Sequence, residues 1–210
     1  PFSRLQSMAE AGLIPKRLSK TKLPICAACN FGKLTKKNWR SRAKNKRKII
    51  PADRPGAVVS VDQLESTTHG MIAQLKGKVT HRRYKAATIF VDHYSDASFI
   101  HLQETLTSED TIRAKEAFEA WSRTNGISQV QHYHCDNGRF TDNAWTIDAR
   151  KKGQTVTFCG VNAHFQNGRA EKRIRDLRES ARTSLHHAMS RWPGVVDLHL
   201  WPYALRYAND

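Results

Sequence analysis

Three acidic side chains stand where chemistry is the most economical account of them. Asp62 closes the apolar run Val58-Val-Ser-Val61, and Asp136 closes the run from Val130 to Cys135 and opens the turn Asp136-Asn-Gly138. Glu171 ends Gln166-Asn-Gly-Arg-Ala-Glu171, at the start of a helical stretch. An ionised carboxylate beside buried apolar neighbours is costly unless it faces water or a ligand. Three carboxylates form a hard oxygen donor set suited to Mg²⁺ or Mn²⁺. Two such ions on shared carboxylates serve in-line displacement at phosphorus. Each acid alone has a plainer reading: Asp-Asn-Gly is a turn sequence, strand ends carry polar residues, and a charged helix face is often merely wet. The order of the three is what raises them above that reading.

A second candidate group is Cys26-Ala-Ala-Cys29, whose two thiolates are half of a tetrahedral zinc site. No histidine precedes Cys26, and the first in the chain is His69. The simplest expectation is that histidines upstream of Pro1 complete the site in a longer protein. A redox role would call for a thioredoxin-like strand-to-helix setting, which this segment lacks.

The helix carrying Glu171 has an apolar stripe of Ala170, Ile174, Leu177, Ala181, Leu185 and Ala188. Glu171 borders that stripe. Arg175, Arg178 and Arg182 follow it at i+4, i+7 and i+11, so one face presents an acid and then a row of guanidiniums. Charge is unevenly spread along the chain. Of the net +16, residues 1–50 hold fourteen Lys and Arg against Glu10 alone, whereas the remainder holds 21 basic against 18 acidic residues. A basic segment leading a nearly neutral domain is the footprint of a polyanion binder, nucleic acid first, since cations near phosphates release counterions.

These residues need a sheet and helices to position them. The β-branched runs at 58–61, 86–91 and 98–102 predict three successive strands, with an extended hairpin over Thr67–Arg83. Ser108-Glu-Asp-Thr111 predicts a helix start, and Asn125-Gly126 its end. A strand at 129–135, a helix near 143–152, a strand at 155–159, a long helix from 168 to 188 and a last helix from about 196 complete the order βββαβαβαα. That order indicates a mixed sheet in which an antiparallel meander precedes parallel strands with helical crossovers. Ahead of it, residues 3–14 predict a short helix, and Lys36–Lys48 a linker. Cys135 and Cys159 are expected as buried small apolar groups. Four cysteines are too few for a secreted disulfide framework, and neither a membrane span nor a secretory leader is evident. An intracellular, soluble fragment of a larger product is expected.

Ser60-Val-Asp62, His134-Cys-Asp136-Asn-Gly138 and Gln166-Asn-Gly168-x-x-Glu171, with 34 residues between Asp136 and Glu171, resemble the D…D…E signature of retroviral and retrotransposon integrases. Cys26-x-x-Cys29-x-x-Gly32-Lys33 looks like the second half of the zinc segment of copia-type (Pseudoviridae) elements. Val91-Asp-His-Tyr-Ser95, and the Arg/Lys and Ala-Arg-x-x-Leu that follow Glu171, also look copia-like. The resemblance covers most of the chain. It implies an RNase H-like fold of five mixed strands flanked by helices, with residues 1–50 as a basic half-zinc segment and linker and 51–210 as the catalytic core. It implies two Mg²⁺ or Mn²⁺ ions, Asp62 bridging both and Asp136 and Glu171 completing one site each. It implies Zn²⁺ in the full N-terminal segment, and DNA-end contacts by Asn167, Lys172 and Arg175, to which the helix face adds Arg178 and Arg182. The implied activity is 3′-end processing and strand transfer of element DNA by a homo-oligomer, in the nucleus or a virus-like particle. A basic C-terminal domain usual in such enzymes is not recognisable. A non-catalytic nucleic-acid-binding module derived from a transposable element and an RNase H-like nuclease are the other readings.

Overall fold

The computed structural model describes residues 2–22, 26–32, 52–74, 77, 79–127, 129–160 and 164–210. The expected linker Lys36–Lys48 lies outside the described residues. Helix α1 (Phe2–Glu10) and a 3-10 turn (Lys16–Lys20) come first, then the short helix α2 (Ala27–Gly32). Strands β1 (Val59–Gly70), β2 (Tyr84–Asp92) and β3 (Ser98–Gln103) follow in succession. Helix α3 (Ser108–Thr124) leads to β4 (His132–Cys135), α4 (Asn143–Lys151) and β5 (Thr155–Phe158). The long α5 (Gly168–Arg191) and α6 (Trp201–Asn209) close the chain.

The five strands form one sheet in the order β3-β2-β1-β4-β5. β1 pairs antiparallel with β2, β2 antiparallel with β3, β1 parallel with β4, and β4 parallel with β5. The mixed sheet expected from the element order is therefore the one observed. Two expectations are corrected. The meander's first strand does not stop at Asp62: β1 runs eight residues further, because β2 on its other side continues to pair with it as far as Gly70. Pairing with β4 does stop there, at Val61↔Cys135. The polar stretch from Thr67 is thus partly strand, since half of a twisted edge can stay in water. The last helix starts at Trp201, with a 3-10 turn at Leu198–Leu200 capped by Asp197, instead of near 196.

Alternation along β2 explains its near-continuous apolar run. Ala87, Ile89 and Val91 face α5 and α6, packing with Leu177, Ala181, Leu185, Ala204 and Leu205. Phe90 points to the opposite face, into a core shared with Val59, Val61, Tyr133, Cys135, Phe118 and Trp145. Both faces of the central strands are covered, as strands with helices on either side require. The expected α5 stripe is the buried one, with Ile174 and Ala188 half-buried at its margin. Thr107 caps α3 and Asp142 caps α4, each accepting from a backbone N–H in the first turn.

The α3–α4 layer buries an ion cluster that the sequence pattern did not announce. Lys115, fully buried, lies 2.9 Å from Glu119 and 2.7 Å from Asp148, over the rings of Tyr133 and Trp145. Gln154 and Tyr133 donate to Glu119, and Lys152 bridges both acids from the rim. Burial raises the Glu119 pKa, but hydrogen bonds from Gln154 and Lys115 and the charges of Lys115 and Lys152 outweigh it, leaving a net lowering. A lowered carboxylate stabilises the fold above its ordinary value of 4.5 and loses that contribution as pH falls through its folded value. Unfolding by denaturant is therefore expected to become easier as pH falls below about 4.5. Lys115→Ala, which strands two acids without their buried cation, is expected to cost about 3–5 kcal/mol in the same measurement at neutral pH.

Candidate active site

Parallel pairing of β1 with β4 ends on the partners Val61 and Cys135, and the next residue in each case is an acid, Asp62 within β1 and Asp136 directly after the end of β4. Adjacent strands lie about 4.8 Å apart, so the two carboxylates issue from neighbouring points on one sheet edge. Val61 and Cys135 face the α3–α4 core. By alternation, Asp62 and Asp136 turn to the other face, where α5 begins. Both are half-buried. Each carboxylate accepts from the next backbone N–H, Gln63 for Asp62 and Asn137 for Asp136, at 2.8 Å.

Three side chains hold the start of α5 against the sheet and its β2–β3 turn. Asn167 is 1% exposed and donates from Nδ2 to the Val61 carbonyl at 2.8 Å, one residue before Asp62. Arg169 donates to the His93 carbonyl and to Asp96 in the β2–β3 turn, at 2.7 and 2.9 Å. Arg173 donates to Ser98 Oγ at 2.8 Å. That turn is itself braced by Asp92, which accepts from Gly56 N, Ser95 N and Ser95 Oγ. Glu171, exposed and in the first turn of α5, is thereby carried to the side of the sheet that Asp62 and Asp136 face.

Cys159 lies next to the end of β4. Burial is the first cause that pushes its thiol up to about 11, and the charges of Asp136, Glu171 and Asp62 are the next three. All three acids act on one sulfur atom. Cys159 N donates to the Cys135 carbonyl, extending the β4–β5 ladder by one residue, and its Sγ lies 3.6 Å from His134 Nε2. Burial holds His134 below its ordinary value of 6.5 against an opposing contact with the Gln166 backbone, which keeps the imidazole neutral near pH 7. His134 and Cys159 form the neutral wall behind the acids, and both cysteines expected to be buried are buried.

Lys172, Arg175, Arg178 and Arg182 are all exposed along α5. Three of them share the face of Glu171. Asn167 differs from them. It is enclosed, with Nδ2 spent on Val61 and Oδ1 buried without a hydrogen bond, so its side chain holds backbone to backbone at the site's edge. Cys26 precedes α2 and is half-buried, and Cys29 lies within α2, its side chain outside the described residues.

Among the described residues, no three His, Cys, Asp or Glu side chains are gathered closely enough to clasp one ion. The fit of a divalent cation rests instead on donor chemistry and register: two hard carboxylates on adjacent strand ends, and a third on the helix pinned beside them. Neither Asn167 nor the two arginine clamps was signalled as a structural bond by the sequence, because their partners lie 106, 76 and 75 residues away.

A five-stranded mixed sheet in this strand order, with helices on both faces, has the RNase H-like fold of integrase catalytic cores. By sequence the chain matches no protein-family model and no curated protein. By structure it is similar to the HTLV-2 integrase catalytic core domain in complex with magnesium (trimeric form). The TM-score is 0.50, with 16% identity over 76% of this chain and 86% of that one. It is also similar to a chain of the simian T-cell lymphotropic virus intasome in complex with PP2A regulatory subunit B56 gamma. Here the TM-score is 0.51, with 18% identity over 98% of this chain and 67% of that one.

The enclosed Asn167 makes a distinct claim about stability. Asn167→Ala removes a buried donor and leaves the Val61 carbonyl short of a partner, so it is expected to cost about 1–3 kcal/mol by chemical denaturation. A residue exposed for DNA would leave the midpoint unchanged.

Proposed function

We propose that this chain is the catalytic core of a retrotransposon integrase of copia type, preceded by part of its zinc-binding segment, and that it processes and joins DNA 3′ ends. The observation that carries the reading is that Asp62 and Asp136 each directly follow the last paired step of β1 and β4, Val61↔Cys135, with Glu171 on the helix pinned to that step through Asn167. A purely binding surface gains nothing from acids facing phosphate. Magnesium in the complex named for the HTLV-2 core supports the same metal chemistry here.

Asp62, Asp136 and Glu171 would hold Mg²⁺ or Mn²⁺. When bound, such ions activate a water or a 3′-hydroxyl and neutralise charge at the phosphorus and the leaving oxygen. The chain's own residues do the rest. The sheet edge fixes two carboxylates on rigid backbone, so their spacing is set before DNA arrives. Neutral His134 and Cys159 add no competing charge behind them. Lys172, Arg175, Arg178 and Arg182 offer phosphate partners along about three turns of α5 and orient the duplex without reading its sequence. Residues 1–50, with their excess of cations, would add grip on DNA. The full enzyme would act as a homo-oligomer, in the nucleus or in the element's particle.

Incubating the protein with Mn²⁺ and a branched oligonucleotide that mimics an integration intermediate is expected to release the joined strand. Asp62→Asn, Asp136→Asn and Glu171→Gln should each lower the rate about a thousandfold, several kcal/mol of transition-state stabilisation, with DNA binding retained. Release that survives Asp136→Asn would sink the catalytic assignment. Binding with no release by the unaltered protein would favour the non-catalytic module. Separately, Arg178→Gln and Arg182→Gln each take one cation from the phosphate backbone. Each is expected to flatten the log-log salt dependence of DNA affinity by about 0.9.

A further inference from the structure

Two adjacent residues at the entry to α5, Gln166 and Asn167, reach all three strands of the parallel half of the sheet. Asn167 holds the Val61 carbonyl of β1 with its side-chain amide, and its backbone N–H donates to the Cys159 sulfur, one residue past the end of β5. The Gln166 backbone meets His134 of β4. That imidazole is held in its turn, since Nδ1 stands 2.9 Å from the Thr157 hydroxyl, which stands 2.8 Å from His132 Nε2. Finally, the Gln166 side chain accepts from the Gly160 backbone N–H at 2.9 Å.

The Gly160–Gln166 bond joins residues six apart and draws the exit of β5 to the entry of α5. Glu171 follows five residues later, in the first turn of that helix. Arg169 and Arg173 tie the same stretch of helix to the β2–β3 side of the sheet, so the glutamine restrains it from the opposite side. An amide oxygen suits the place. It accepts a hydrogen bond without charge, whereas a carboxylate would bring a fourth anion toward Asp62, Asp136 and Glu171.

We infer that Gln166 is a positioning residue for Glu171: by accepting from the Gly160 amide it latches the start of α5 to the end of β5 and holds the third acid near the β1–β4 edge before a cation arrives. The inference rests on the proposed reading of Glu171 as a metal-holding group. Preorganisation of this kind shows in cation affinity, because a carboxylate that must first be brought into place gives up part of the binding free energy.

The test is Gln166→Met, which keeps the length of an exposed side chain and removes its acceptor, beside Gln166→Glu, which keeps an acceptor oxygen. Hydrogen–deuterium exchange without metal and Mn²⁺ affinity by electron paramagnetic resonance are both read on the whole chain. In Gln166→Met, the Gly160 amide and the amides that bond to the first turn of α5 are expected to exchange about tenfold faster, the equilibrium effect of one hydrogen bond, with β2 and α3 unchanged. Mn²⁺ should bind about tenfold more weakly, as for loss of an outer partner of a metal ligand. Gln166→Glu should keep the Gly160 protection. Unchanged exchange at the start of α5, or unchanged Mn²⁺ affinity, in Gln166→Met would overturn the inference. An unaltered protein that binds Mn²⁺ but releases no strand would instead overturn the proposed function, and both readouts of the latch would still decide the inference.

Discussion

The arrangement of this molecule turns on one short parallel pairing. β1 and β4 share only three register partners, Val59↔Tyr133, Ser60↔His134 and Val61↔Cys135, and everything that can do chemistry is placed relative to the last of them. Parallel neighbours bring their carboxyl ends to the same edge, so two acids that are far apart in sequence emerge side by side. The Asn167 amide on the Val61 carbonyl then adds the third acid to the same frame. Because a strand alternates sides at every residue, a slip of one position at β4 would send Asp136 to the α3–α4 core and Cys135 to the cleft.

The register is held by apolar packing rather than by the acids, which repel one another. Val59, Val61, Tyr133 and Cys135 are buried to zero exposure on one face, and β2 locks β1 from the other side over most of its length. The stacked rings of Phe90 and Phe118, with centroids 4.5 Å apart, and Trp145 against Tyr133 fill the space beneath that edge. Carboxylate clusters raise the free energy of the fold that holds them, so the rigid core below and the arginine clamps of α5 must offset it. The Lys115 cluster on the opposite layer follows the reverse logic, since there each buried charge has a partner of opposite sign.

Much of this was legible in the sequence, for identifiable reasons. The strands β2 and β3, the helix α3 with its Ser/Thr and acidic first turn, and the α5 stripe all follow from periodicity and capping, which are local. Asp62, Asp136 and Glu171 stood out because ionised residues beside apolar runs call for an explanation. What escaped was non-local. The continuation of β1 past Asp62 depends on β2 as a partner, since its half-exposed polar residues carry no strand signal of their own. Asn167 reads as one more polar residue at a helix start, and only the fold shows that it is enclosed against Val61.

Between the fold, shared with integrase cores at low sequence identity, and the proposed strand-transfer chemistry stands the claim that the β1–β4 edge and the start of α5 make one divalent-metal site. Anomalous diffraction from crystals soaked in Mn²⁺ tests it most directly. The account predicts a manganese peak between the carboxylates of Asp62 and Asp136, with Glu171 drawn toward it. No peak at that edge while Mn²⁺ binds elsewhere, or carboxylates of Asp62 and Asp136 directed to opposite faces of the sheet, would contradict it.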